Sequence, residues 1–185
     1  MSTAPLEHAI AATRQVLAGV TPEQLSQPTP CAQWSVSDLI DHIVGAQDFF
    51  ASGASGTAPS SDGSGAASGD YLAAFDAGTQ RCLTAFQADG VMDKMLTLPF
   101  GSMPGAAFVG LAATDTFTHG WDLAKATGQN TDLAPDLAAQ LLVGAKQSIQ
   151  PAFRSEDGAV FGPEQTAPAG ASNADQLAAF LGRTV

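Results

Sequence analysis

Apolar residues recur every three to four positions along several stretches of the chain, separated by breaks rich in glycine and proline. That period predicts helices. Ile10, Val16 and Leu17 supply such faces over about Thr3 to Ala18, with Pro5 in the first turn and Gly19 as the stop. Leu39, Ile43, Ala46, Phe49 and Phe50 form a stripe from Ser37 to about Ala51, opened by the capping box Ser35-Val-Ser-Asp38. Leu72, Phe75, Leu83 and Phe86 mark a third helix from Asp70 to about Ala88, ended by Asp89-Gly90. A fourth starts near Pro104 and stops at Thr127-Gly128. Pro135 starts a fifth carrying Leu137, Leu141, Leu142, Val143 and Ile149, and Asn173 is expected to cap a short sixth from Ala174 to Leu181.

The breaks carry their own pattern. Thr21-Pro-Glu-Gln-Leu25 predicts one turn of helix, and Pro28 and Pro30 forbid a longer one. Pro28 to Trp34 reads either as a rigid strap packed on the helices or as an ordinary loop anchored by Trp34. In Ser52 to Gly69, 15 of 18 residues are Gly, Ser or Ala, too few large side chains for a core, so a flexible loop between helices is expected, with a flap over a pocket as the other reading. Met95, Leu96, Leu98 and Phe100 around Pro99 suit a short extended segment, and 151–171 reads as loop. The expected architecture is a single domain over 1–185, all-α, built as a helix bundle with a short C-terminal helix.

Helix four holds the chemistry. Asp115, His119 and Asp122 stand at i, i+4 and i+7, which at about 100° per residue puts all three on one face. The same face carries Phe108, Leu111 and Ala126, so the polar triplet lies on an apolar stripe. Burying a carboxylate or imidazole is costly unless it is paired, hydrogen-bonded or metal-bound. On helix two, His42 also falls inside an apolar stripe, beside Leu39 and Ala46. Read singly, it is a core histidine with one hydrogen-bond partner. Two imidazoles and one carboxylate facing one interior are instead a ligand set for Zn, with Ni, Fe or Mn as alternatives, and three protein ligands leave a position open. Asp122 either orients a ligand imidazole or caps surface groups. A structural role for both histidines, in a bundle that dimerises, is the competing reading. His8 is expected at the surface, and Cys31 and Cys82 as two buried, reduced thiols.

Charge narrows the partners. With 7 Lys and Arg against 18 Asp and Glu, the net charge of −11 argues against nucleic acid and anionic membranes. No N-terminal leader pattern or long apolar run is present, so a cytoplasmic protein is expected.

Four segments carry a resemblance: Pro28 to His42, Leu98-Pro-Phe-Gly-Ser-Met-Pro-Gly105, Asp115-x-x-x-His119-Gly-Trp-Asp-Leu-Ala-x-Ala-Thr-Gly128, and Phe180-Leu-Gly-Arg183. They resemble the DinB-like superfamily, most closely metal-binding proteins related to the N-terminal domain of mycothiol-dependent maleylpyruvate isomerase. The resemblance implies a DinB-like four-helix bundle and a metal held by His42, Asp115 and His119. The isomerase has glutamate at the position of Asp115 and a further C-terminal domain at its active site, so a mechanism class is implied rather than that isomerisation. The class is addition or transfer of a small-molecule thiol, mycothiol, to a small electrophile, with no cysteine of this chain as nucleophile. A metal-binding protein without catalysis, for storage, sensing or stress response, is the alternative.

Overall fold

Helix boundaries follow the capping chemistry of the sequence. A computed structural model describes residues 2–31, 33–155 and 161–185. Among them are six α-helices: α1 (Ala4–Ala18), α2 (Val36–Ser55), α3 (Tyr71–Gln87), α4 (Gly105–Ala126), α5 (Pro135–Ser148) and α6 (Asn173–Phe180). At the start of α2 the Ser35 hydroxyl accepts from the Asp38 amide, and Asp38 accepts from the Ser35 amide at 2.9 Å. Asp70 caps α3 in the same way, accepting from the Ala73 amide at 3.0 Å.

Three expectations are corrected. Helix α2 runs four residues past Ala51, because no residue with left-handed backbone intervenes before Gly56. The cap of α6 is Ser172, whose hydroxyl accepts from the Asp175 amide at 3.0 Å, and Asn173 is its first helical residue. The chain is also mostly helical rather than all-α. Strands β1 (Met95–Leu98) and β2 (Gly101–Pro104) pair antiparallel, Met95 opposite Pro104 and Leu98 opposite Gly101, around the tight turn at Pro99-Phe100. The alternation is that of a one-sided hairpin: Leu96 and Leu98 are buried, Met95 and Phe100 exposed.

Helix α1 packs on α4, α2 on both α3 and α4, and α5 on α6. Large rings from α3 and α4 fill the interior, with Phe75, Phe86, Phe108, Phe117 and Trp121 all but fully buried. Polar links fix the register between elements. The Thr13 hydroxyl donates to the Thr116 carbonyl at 2.8 Å, beside Gly120, where a Cβ would run into Thr13. Arg81 of α3 donates twice to the buried Asp48 of α2, at 2.7 and 2.9 Å. The Trp121 indole donates to Asp175 at 2.9 Å, tying α4 to α6. Among the described residues no helix is long and apolar enough to cross a membrane.

The glycine- and serine-rich stretch after α2 docks back on that helix. Gly63, with φ of +83°, lies against Gly45, and a Cβ on either would collide with the other's segment. Asp41 holds the stretch further on, its two oxygens accepting from the amides of Gly65 and Ala67, both at 2.8 Å. In the 151–171 connection, Pro151–Phe153 form a 3-10 turn and Arg154 bridges to Phe161. Residues 156–160 of that connection, and Ala32 of the proline strap, lie outside the described residues.

Candidate metal centre

The helices that carry His42, Asp115 and His119 cross so that one ligand atom from each lies within 4.8 Å of the others. The His119 Nε2 is 3.6 Å from Asp115 Oδ1, and the two imidazole rings meet edge to face with centroids 4.5 Å apart. The His42 Nε2 is buried and has no hydrogen-bond partner among the described residues. Such an orphaned ring nitrogen costs free energy unless something binds it. The hydrogen-bond partner that the core-histidine reading calls for is not found at that nitrogen among the described residues.

A second set of groups stands behind His119. The Asp122 carboxylate, fully buried, lies 3.1 Å from His119 Nδ1. It also accepts from Arg183 Nε at 3.2 Å, Arg183 Nη2 at 3.0 Å and the Cys31 thiol at 3.2 Å. An ionised carboxylate only accepts, so Nδ1 carries the proton and Nε2 turns toward His42 and Asp115. Of the two roles open to Asp122, orienting the imidazole is the one realised, the arrangement found behind metal-bound histidines. Cys31, His119 and Asp122 also lie close enough to hold a cation. Arg183 already neutralises that carboxylate, which leaves the set around His42 as the better donor group.

The electrostatics agree. Burial, reinforced by the nearby His119, pushes His42 down to about 4, so it is neutral at physiological pH with its lone pair free. Burial also works against the charged form of His119, but Asp115 and then Asp122 outweigh it and hold this imidazole above its ordinary value. Burial would likewise raise Asp122, and the hydrogen bond from His119 together with Arg183 overrides it, keeping the carboxylate ionised. Without a metal, His119 therefore carries a proton between two carboxylates. A divalent cation fits the place of that charge, with two imidazole nitrogens and one carboxylate oxygen as donors.

The site opens on a cavity of about 530 Å³. Helix α2 contributes Ala46, Phe49 and Phe50, α4 contributes Leu111, Thr114 and Thr118, and the C-terminal part contributes Phe161, Leu181 and Arg183. Pro59, Ser61 and Asp62 from the docked Gly/Ser stretch complete it. On the other side of His42 the proline strap brings the Trp34 ring to 4.8 Å from His42 and 6.0 Å from His119. The strap holds its shape through Thr29, whose hydroxyl donates to the carbonyls of Cys31 and Trp34 at 3.1 and 3.0 Å.

All three residues expected as ligands converge, and His8 is exposed as expected. Cys82 is buried, but Cys31 is only half-buried and belongs to the network behind His119, a correction to its reading as a buried thiol. Sequence reasoning also missed Arg183. Its signal was the Phe180-Leu-Gly-Arg183 ending, which periodicity could not connect to a helix 61 residues earlier.

Comparison with known proteins follows the same residues. The family model described as the mycothiol maleylpyruvate isomerase N-terminal domain matches residues 6–124, from α1 to near the end of α4. Two uncharacterised proteins of Mycobacterium tuberculosis, one from strain CDC 1551 and one from strain H37Rv, are each 43% identical over 171 residues, covering 92% of this chain and 91% of the relative. No solved structure matches significantly.

Proposed function

This chain belongs to the mycothiol maleylpyruvate isomerase N-terminal domain family, and on that premise we propose that it is a metal-dependent thiol S-transferase or isomerase acting on small electrophiles, with mycothiol as the thiol. In this reading α1–α4 form the DinB-like four-helix bundle, and His42, Asp115 and His119 hold a divalent metal, Zn first, with Ni, Fe or Mn as alternatives. The observation that carries it is the buried His42 Nε2, unpartnered among the described residues, beside a second imidazole whose far nitrogen is fixed by a buried carboxylate. A metal bound there would favour the deprotonated, nucleophilic form of a thiol at the cavity edge.

The chain's own residues then have separate tasks. His42 offers a neutral nitrogen without releasing a proton at physiological pH. Asp122 keeps the His119 proton on Nδ1, so Nε2 stays a donor toward the centre. The cavity beside the three ligands gives an electrophile access, and this supports an enzyme over a closed storage or sensing site. Trp34 shields the other side of the two rings.

Elemental analysis of the purified protein beside His119→Ala, followed by titration with mycothiol and a thiol-reactive electrophile, tests the reading. Near-stoichiometric metal that the variant loses, with thiol-dependent consumption of the electrophile, supports it. Metal without any thiol binding or turnover would make the protein a non-catalytic metal binder. Failure to take up any divalent metal after reconstitution would refute both.

A further inference from the structure

The proposed thiol chemistry leaves open what the electrophile looks like, and the cavity walls address it. We infer that the cavity takes a molecule with an uncharged apolar body, aromatic or branched alkyl, whose one polar end faces His42, Asp115 and His119. This deepens the reading given under Proposed function and rests on it only for the chemistry, not for the binding. At about 530 Å³ the cavity is of the size that encloses small ligands. Its apolar walls are Ala46, Phe49, Phe50, Leu111, Phe161 and Leu181.

What decides the class of ligand is that the remaining polar wall groups are few and mostly engaged within the chain. The Thr114 hydroxyl donates to the Gly110 carbonyl at 2.9 Å, and that of Thr118 to the Thr114 carbonyl at 2.7 Å. Ser61 accepts from the Gly63 amide and Asp62 from the Ser64 amide, each at 3.0 Å. Beyond His119, Arg183 is the one cationic side chain on the wall. Its Nε and Nη2 are on Asp122, and its Nη1 is on the Leu181 carbonyl at 3.2 Å. A carboxylate or phosphate on the ligand's body would lie against the apolar walls and face Asp62 and Asp115 as like charges. An aromatic body, by contrast, meets Phe49 at the mouth, half-exposed at 36% and edge to face with Phe50 at 5.4 Å.

The test uses N-phenyl-1-naphthylamine, a neutral probe that fluoresces when it leaves water, titrated into the protein both as purified and after chelator treatment. It should bind in both forms, and Phe49→Ser should weaken it about fivefold or more, since the wall loses a large apolar face. Val143→Ser, on the exposed α5 surface away from the cavity, should leave it unchanged. In the chelator-treated protein, where no metal can attract a carboxylate, 2-naphthoate should displace the probe at least about tenfold better than 2,6-naphthalenedicarboxylate, whose second carboxylate must lie along the apolar walls whichever end faces His119. Absence of probe binding, an equal effect of Val143→Ser, or equal displacement by the dicarboxylate would each overturn the inference. Because the probe is read without metal, a protein that binds the probe but no metal refutes the metal reading alone. One that binds metal but no probe refutes the apolar cavity alone.

Discussion

Replacing Asp122 with asparagine separates the two tasks of that carboxylate. The side chain keeps its shape and can still accept from Arg183 through its carbonyl oxygen. Facing His119 Nδ1, however, its amide group donates. The imidazole is then driven to the tautomer with the proton on Nε2, the nitrogen that points at His42 and Asp115. Losing such an orienting carboxylate typically costs about 10- to 100-fold in metal affinity. Stability falls as well, because Arg183, 14% exposed, loses its counter-ion. Breaking a buried pair costs about 3 to 5 kcal/mol. The hydrogen bond that survives and the exposure of Arg183 place this variant at about 3 kcal/mol. In a chain of this length that is a fall in Tm of roughly 6 to 12 °C.

The control is Arg183→Met, which removes the guanidinium but leaves Asp122 to hold the His119 proton. Its Tm should fall comparably, while its affinity for zinc, read by competition with a chromophoric chelator, stays within about threefold of wild type. Calorimetric Tm and chelator competition on the three proteins give six numbers. If Asp122→Asn lowers Tm but binds zinc as tightly as wild type, the carboxylate is only a structural anchor for the C-terminal segment, and the tautomer argument fails.

Three other outcomes follow from the same geometry. His119 has a folded-state pKa raised above its unfolded 6.5, so its stabilising contribution is complete below 6.5 and is lost as pH rises through the raised value. Metal-free protein should therefore lose stability to urea over that alkaline window, and His119→Gln should flatten the slope. Burial, helped by Asp48, pushes the Cys82 thiol up to about 12, so native protein treated with iodoacetamide near neutral pH should be alkylated at half-buried Cys31 and at Cys82 only after unfolding, as peptide mass mapping will show. Asp48→Ala removes a buried carboxylate whose partner Arg81 is 44% exposed and can turn to water; the expected cost is about 1 to 3 kcal/mol in urea unfolding, with metal uptake unchanged.

The helices were legible because each carries its own punctuation. Ser35 and Asp38, Pro104, Pro135 and the glycines after the last turns are local signals, and local signals survive in a single sequence. His42, Asp115 and His119 were legible for a related reason, since two of them share a helix face and the third stands in an apolar stripe where a bare imidazole is costly. The hairpin at 95–104 was half legible: alternation marked an extended stretch, but nothing local says that Met95 pairs with Pro104. Cys31 and Arg183 were not legible from periodicity at all. Their contacts centre on Asp122, 91 residues from one and 61 from the other, and the guanidinium arrives from a non-helical end that carries no periodicity to read.

That division also separates chemistry from selection. His42, Asp115, His119 and the orienting Asp122 all lie within the 6–124 stretch that the family model matches. Phe161, Leu181 and Arg183, which close the cavity over them, lie beyond it. A donor set must keep its geometry to within fractions of an ångström to hold a metal, whereas a cavity wall can change side chain by side chain while the fold persists. The C-terminal segment is thus where this chain can set which small molecule the cavity admits. Arg183 makes the two parts interdependent, because the residue that helps to shape the wall also neutralises the carboxylate that orients His119. Substitutions at Leu181 or Phe161 should change which probe binds and leave metal affinity alone, and a loss of metal from either would mean that wall and centre are one unit.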